Sequence, residues 1–211
     1  MKYLVSGIFS FLLFGVSFGQ EYNPEKLGMT NEDLPKGLEV GDKAPNIKLK
    51  DVNDSVYDLY EALKSGPVVM NFYRGNWCPY CTRYLASLND SVGQIISLGA
   101  SFIAISPENP EEIKKSAEGL NRNIIILNDS KAIAMKAYDV DFYVTKKYEE
   151  KVERKIKKSA EEFYDQEEVI FPVPATYIIN EEGIIIYRFF DPNYSQRATV
   201  ISILKALESL K

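Results

Sequence analysis

Apolar positions along the chain follow two different periods. The run Val68 to Tyr73 is continuous and rich in strand-forming residues, which predicts a buried strand. Thr82 to Leu98 instead spaces Leu85, Leu88, Val92 and Ile95 with Ile96 as one face of a helix. Downstream, Ser101 to Ile105 predicts a strand, Pro110 to Gly119 a short helix, Ile124 to Leu127 a strand and Ser130 to Tyr138 another helix. Thr176 to Ile179 and Ile184 to Phe189 flank Asn180-Glu181-Glu182-Gly183 and predict a hairpin. Gln196 to Leu210 closes the chain as an amphipathic helix. Alternating helices and strands predict an α/β layer fold.

Two stretches depart from that alternation. From Lys146 to Tyr164 the chain is densely charged, yet Tyr148, Val152, Ile156, Ala160 and Phe163 recur three and four apart, predicting one surface helix packed by a narrow stripe. A partner-docking helix is the functional alternative for this segment. At the other end, Met1 to Gly19 has Lys2 before an apolar core from Tyr3 to Phe18, with Ser17 and Gly19 at a plausible cleavage position. It has the pattern of a secretory signal peptide; if retained it would be an N-terminal anchor, though its apolar run is short for a membrane span. Residues 20–39 form a polar, turn-rich surface arm, and 40–211 one domain. The expected location is therefore outside the cytoplasm, in a bacterial periplasm, with no stable membrane insertion after signal removal.

Composition narrows the chemistry. A net charge of −5 over 211 residues gives no electrostatic reason to expect nucleic acid as a partner. The chain contains no histidine and two cysteines, so it cannot complete a thiolate or histidine zinc site alone, and no metal or other cofactor is expected. Both cysteines fall in Gly75-Asn76-Trp77-Cys78-Pro79-Tyr80-Cys81, between the strand run and the helix. Cys78 is then placed at the helix start, where unpaired N–H groups and the helix dipole favour a thiolate. Cys81 lies one turn deeper and can resolve a group bound to Cys78. Pro79 suits the first helical position, where its missing N–H costs nothing. A structural disulfide closing so short a loop would constrain the unfolded chain little. A redox pair is the better account than a staple, an intersubunit metal site or inert core thiols.

With those elements placed, the chain resembles the alkyl hydroperoxide reductase and thiol-specific antioxidant family, a peroxiredoxin-like branch of the thioredoxin fold. The resemblance rests on Gly41-Asp42-Lys43-Ala44-Pro45 with Leu49, and on Phe72-Tyr73-Arg74-Gly75-Asn76-Trp77-Cys78-Pro79-Tyr80-Cys81. Ile105-Ser106-Pro107-Glu108, Leu127-Asn128-Asp129 with Ala137-Tyr138, and Val173-Pro174-Ala175-Thr176-Tyr177 follow in the same order. Asp191-Pro192-Asn193-Tyr194 with Arg197 is similar to a tail in the subgroup whose motif is Tyr-Arg-Gly, any residue, Trp-Cys-Pro-Tyr-Cys. The resemblance implies a central mixed sheet flanked by helices, here with a charged inserted helix before a strand headed by a cis-proline.

It also implies an activity: reduction of hydroperoxides through a Cys78–Cys81 dithiol cycle, recharged by a thioredoxin-like electron donor. Yet members of the family carry a threonine or serine three residues before the reactive cysteine and a proline seven before it, where this chain has Gly75 and Asn71. Their arginine ahead of the later strand is replaced by Pro174, so Arg74 and Arg188 are candidate substitutes for the lost cation. Trp77 resembles the tryptophan that flanks the thioredoxin motif, Pro174 resembles that fold's substrate-facing cis-proline, and Pro79-Tyr80 is the dipeptide glutaredoxins carry. Thioredoxin's buried acid is replaced by Asn71. These features imply an alternative substrate, a protein disulfide, and beyond both stands a non-enzymatic binding module.

Overall fold

The computed structural model describes residues 23–30, 34–166 and 168–210; the expected signal segment 1–19 lies outside them. Strand β1 (Lys48–Asp51) hairpins onto β2 (Val56–Asp58), and α2 (Leu59–Ala62) follows a short N-terminal helix α1 (Pro24–Leu27) in number. Strands β3 (Val68–Phe72), β4 (Ser101–Ser106) and β5 (Ile124–Asn128) alternate with helices α3 (Pro79–Ser97), α4 (Pro110–Ala117) and α5 (Ile133–Ala137). Then come β6 (Asp141–Tyr143), α6 (Lys146–Ile156), α7 (Ala160–Tyr164), β7 (Ile170–Pro172), β8 (Ala175–Ile179), β9 (Ile185–Phe190) and α8 (Val200–Glu208).

Seven strands form one sheet in the order β2-β1-β5-β4-β3-β8-β9, and β6 pairs with β7 in a separate ribbon. Within the sheet β3, β4 and β5 are parallel, while β8 runs antiparallel to β3 and β1 antiparallel to β5. The mixed α/β architecture expected from the sequence is therefore present. Alternation along β3 explains why its apolar run is unbroken: Val68, Met70 and Phe72 join the core on one face, and Val69 joins the core under α3 and α8 on the other. A strand buried on both faces needs apolar residues at both parities.

The expected single helix over Lys146 to Tyr164 is instead two. Lys157 adopts a left-handed conformation (φ 58°) that ends α6, and Ser159 caps α7 by accepting from the Glu162 N–H. Ser159-Ala160-Glu161-Glu162 has the form of a capping box, so the sequence carried a signal for this break. The stripe expected to pack the segment does so, with Ile156 partly buried beside it. Tyr148, Val152, Ala160, Phe163 and Tyr164 are buried against Met29, Phe142, Phe171 and Val173. Lys158 pairs with the buried Glu112 of α4 at 2.9 Å, and Asn109 Nδ2 donates to the Glu162 carbonyl.

The described part of the arm is also fastened. Met29 bridges to Val144, and the Leu38 N–H donates to the Tyr177 hydroxyl at 3.2 Å. Strands β1 and β2 and the β6–β7 ribbon went unforeseen because elements of three or four residues are too short to show a period.

Candidate active site

Strand β3 carries the chain to the edge where α3 begins, and residues 73–78 make the turn between them. Cys78 is the N-cap of α3, with extended backbone (φ −87°, ψ 110°), and Pro79 opens the helix behind it. That position sets Cys78 at the open end of the helix, where the Cys81 N–H favours its thiolate. Gly75 turns the loop with φ 141°, and a Cβ placed there would come within 2.9 Å of the Trp77 ring and 3.2 Å of the Glu108 carboxyl carbon. A threonine at this position cannot coexist with Trp77 as it stands.

Both thiols are free and buried, Cys78 at 1% exposure and Cys81 at 0%. Arg74, itself 2% exposed, donates from Nη2 to Cys78 Sγ at 3.3 Å and from Nη1 to the Tyr148 hydroxyl at 2.7 Å. Its guanidinium lies 4.0 Å from the Tyr194 ring centroid and 5.4 Å from that of Trp77. On the Cys81 side, Arg197 donates from Nη2 to Cys81 Sγ, also at 3.3 Å. Each sulfur has its own guanidinium.

These surroundings push the two thiols apart. A hydrogen bond from Cys81 and the Arg74 charge, with the Cys81 N–H, draw Cys78 down to about 4 against the effect of burial. Burial, and then the hydrogen bond and charge of Cys78, raise Cys81 well above the ordinary thiol value. Burial disfavours the Arg74 charge, but Cys78, Tyr148 and Cys81 beside it together outweigh that and leave its pKa raised. At neutral pH the site holds one thiolate, one thiol and two guanidinium cations.

The loop is held from two directions. Trp77 Nε1 donates to the Tyr164 hydroxyl, which in turn donates to the Arg74 carbonyl at 3.2 Å. On the opposite side the Glu108 carboxylate accepts from the Asn76 N–H at 2.8 Å and from Ser106 and Ser116 hydroxyls, each at 2.9 Å. Burial raises Glu108 to about 7. Tyr80, half exposed, contacts Tyr194 ring to ring at 5.8 Å, and with Arg74, Trp77, Cys78, Tyr148, Lys151 and Lys155 it borders a small pocket of about 50 Å³.

Of the residues singled out from sequence, Arg74, Trp77, Cys78, Pro79, Tyr80 and Cys81 meet at this pocket or directly behind it. Pro174 does not take the cis form expected of it. No described peptide bond is cis, and the Val173 N–H is already committed to the Val140 carbonyl at 2.7 Å, so that backbone is not free to pair with an incoming strand. Arg188 lies elsewhere, donating to the Lys36 carbonyl and facing Glu39 at 3.5 Å. Of the two candidate cations, Arg74 is the one beside the Cys78 sulfur. Asn71 is buried, its Oδ1 accepting from Thr176 Oγ1 at 3.1 Å, while the buried acid near the loop comes from Glu108, two residues past the end of β4.

Sequence reasoning missed Tyr148, Tyr164, Glu108 and the roles of Tyr194 and Arg197. The stripe containing Tyr148 announced burial but not its partner, 74 residues away. Among the described residues no cluster of potential metal ligands occurs, and no helix is long and apolar enough to cross a membrane.

The chain matches the family model described as AhpC/TSA family over residues 40–188. It is 31% identical over 85 residues to a putative peroxiredoxin of Mycobacterium tuberculosis, covering 39% of this chain and 54% of that protein. It is 24% identical over 172 residues to the chloroplastic peroxiredoxin Q of Oryza sativa subsp. japonica, covering 81% of this chain and 67% of that one. The chain spans about half the length of the first of these relatives. Among solved structures, the peroxidoxin BcpB of Mycobacterium tuberculosis superposes with a TM-score of 0.63 at 18% identity, covering 82% of this chain and 99% of that one. A peroxiredoxin-like protein from Aquifex aeolicus gives 0.63 at 18% identity, covering 84% and 91%. The thioredoxin-like fold implied by the sequence resemblance is the fold these structures share with the chain.

Proposed function

The chain belongs to the AhpC/TSA family, and from that premise we propose that it is an antioxidant thiol peroxidase working through Cys78 and Cys81. The observation that carries this reading is the Arg74 guanidinium 3.3 Å from a buried Cys78 sulfur, beside a pocket open to small molecules. The Cys78 thiolate attacks one oxygen of a hydroperoxide, the O–O bond breaks, and Cys78 becomes a sulfenic acid while the alkoxide or hydroxide takes a proton. Arg74, held by Tyr148 and Tyr194, faces the charge that develops on the peroxide oxygens. It does so from the strand side of the loop, taking the place of the donors lost at Gly75 and Pro174. Cys81 then condenses with the sulfenic acid before a second oxidation.

Regeneration is assigned to a thioredoxin-type dithiol donor, and the segment 1–19 to export into the periplasm. An exported dithiol in an oxidising compartment needs such a donor to stay reduced. Because Cys78 and Cys81 are 1% and 0% exposed, and Tyr148 and Lys155 of α6 with Tyr194 line the pocket at Cys78, a protein donor has to displace part of that cover to reach the disulfide. The same burial weighs against a protein disulfide as primary substrate, since a peroxide reaches a sulfur at 1% exposure more readily than a second protein does.

Stopped-flow fluorescence separates the readings, because Trp77 is the chain's one tryptophan and lies 5.4 Å from Arg74. Reduced protein is mixed with hydrogen peroxide or an alkyl hydroperoxide, and separately with an oxidised protein disulfide. A peroxide reaction far faster than that of a free thiolate of equal pKa supports the peroxidase. Rapid reaction with the disulfide and a slow one with peroxide would establish thiol–disulfide exchange instead.

A further inference from the structure

Arg197 has no part in the peroxide step, yet its position is built. It follows β9 in the turn before α8, where Nη1 donates to the carbonyls of Tyr194 and Gln196, both at 2.6 Å, and Nη2 points to Cys81 Sγ at 3.3 Å. Its Nε is buried without a protein partner, and the guanidinium lies 5.8 Å from the Tyr84 ring. A cation fixed by backbone carbonyls and aimed at a fully buried sulfur is not a surface charge.

We propose that Arg197 is a catalytic residue of the resolving step, generating the Cys81 thiolate once Cys78 has been oxidised and receiving that thiolate again when a donor opens the disulfide. The inference rests on the reading that Cys81 resolves an oxidised Cys78. In the reduced protein Cys81 must remain a thiol, because its hydrogen bond helps hold the Cys78 thiolate. Oxidation of Cys78 to the sulfenic acid removes that negative charge, and with it both the proton acceptor and the repulsion that kept Cys81 protonated. What remains beside Cys81 is Arg197, with Arg74 one turn away.

The step balances without an outside reagent. Cys81 loses its proton, its sulfur attacks Cys78 sulfur, the S–S bond forms and the S–O bond breaks. The departing hydroxide takes the proton that Cys81 gave up and leaves as water. In regeneration one thiolate of a dithiol donor attacks Cys78 and Cys81 leaves as a thiolate beside the same guanidinium; the donor's second thiol then attacks the donor sulfur of the mixed disulfide, releasing Cys78 as a thiolate and leaving the donor as a disulfide.

The turn links the two steps physically. Tyr194 covers Arg74 with its ring and holds Arg197 with its carbonyl, so one short segment, Asp191 to Arg197, serves both sulfurs.

The test follows both phases of the reduced full-length protein after mixing with hydrogen peroxide: Trp77 fluorescence for the first, and dimedone-trappable sulfenic acid by intact mass for the second. In Arg197→Gln, disulfide formation is expected to slow roughly 10- to 100-fold, the scale of a lost charge-assisted hydrogen bond. Sulfenic acid should accumulate, the pH midpoint of resolution should rise, and Arg197→Lys should restore part of the rate. A resolution rate and pH midpoint unchanged in Arg197→Gln overturn the proposal. Should that variant not fold, the wild type decides: its resolution rate is expected to level off by about pH 8.5, the ordinary thiol value, and a rate still climbing there overturns the proposal. A slow first phase in the wild type would instead count against the peroxidase reading, leaving the assignment of Arg197 to be judged on resolution alone.

Discussion

Cys78 caps α3 and Cys81 lies in its first turn, both buried and each 3.3 Å from an arginine, and yet their thiols are driven in opposite directions. The cap position accounts for much of the difference. Cys78 precedes the first helical residue and meets the Cys81 N–H and thiol as donors, whereas Cys81 lies inside the helix, donates its own proton outward and is wholly desolvated. The lesson is that a guanidinium alone does not make a thiolate. Donor count and burial set the baseline on which the arginine acts.

The largest effect expected on this contrast is its removal. Cys78→Ser abolishes peroxide consumption entirely, while Cys81→Ser keeps a rapid first oxidation but stops at a sulfenic acid that overoxidises; intact mass after a single addition of peroxide distinguishes the two. Next in size, Arg74→Gln removes the cation from the reactive sulfur. The peroxide step is expected to slow by about 10²- to 10³-fold, the usual loss for one donor facing developing charge, and the midpoint of Cys78 alkylation against pH should move upward. Equal alkylation midpoints in wild type and variant would remove Arg74 from the account.

Glu108 offers a test on stability. Its folded pKa, raised to about 7 from an ordinary 4.5, means that the folded state binds more protons than the unfolded one between those values. Stability from this group therefore falls as pH rises from about 4.5 to 7 and stays low above, and Glu108→Gln should flatten that part of the profile in denaturant titrations at pH 5 and 8. Asp129, raised by burial to about 6, bends the curve in the same direction and remains in the variant. Smallest of all, Tyr148→Phe removes one hydrogen bond to Arg74 and should slow the peroxide step by about 2- to 10-fold with the disulfide step little changed.

How far the sequence anticipated this site follows from the range of each interaction. The cysteine pair, its helix start and the strand before it were legible because they rest on spacing within a dozen residues. Pro79 at the first helical position was legible for the same reason. Tyr148 and Tyr164 reach Arg74 across 74 and 90 residues, and a stripe tells which face is buried without naming what buries it. The split between α6 and α7 hinges on Lys157 in a left-handed conformation, where no glycine marks the turn, although Ser159 and Glu162 did mark the restart. Pro174 was misjudged because likeness to one fold relative suggested a cis bond, while the pairing of Val173 with Val140 follows from the β6–β7 ribbon that no pattern announced.

The most direct test of the central claim is the pH dependence of the fast Trp77 fluorescence change when reduced protein meets hydrogen peroxide. A thiolate held by the helix start, Cys81 and Arg74 predicts a rate nearly constant from pH 5.5 to 8 that falls only as pH approaches about 4. A rate rising about tenfold per pH unit up to about 8.5, as for a free thiol, would contradict it.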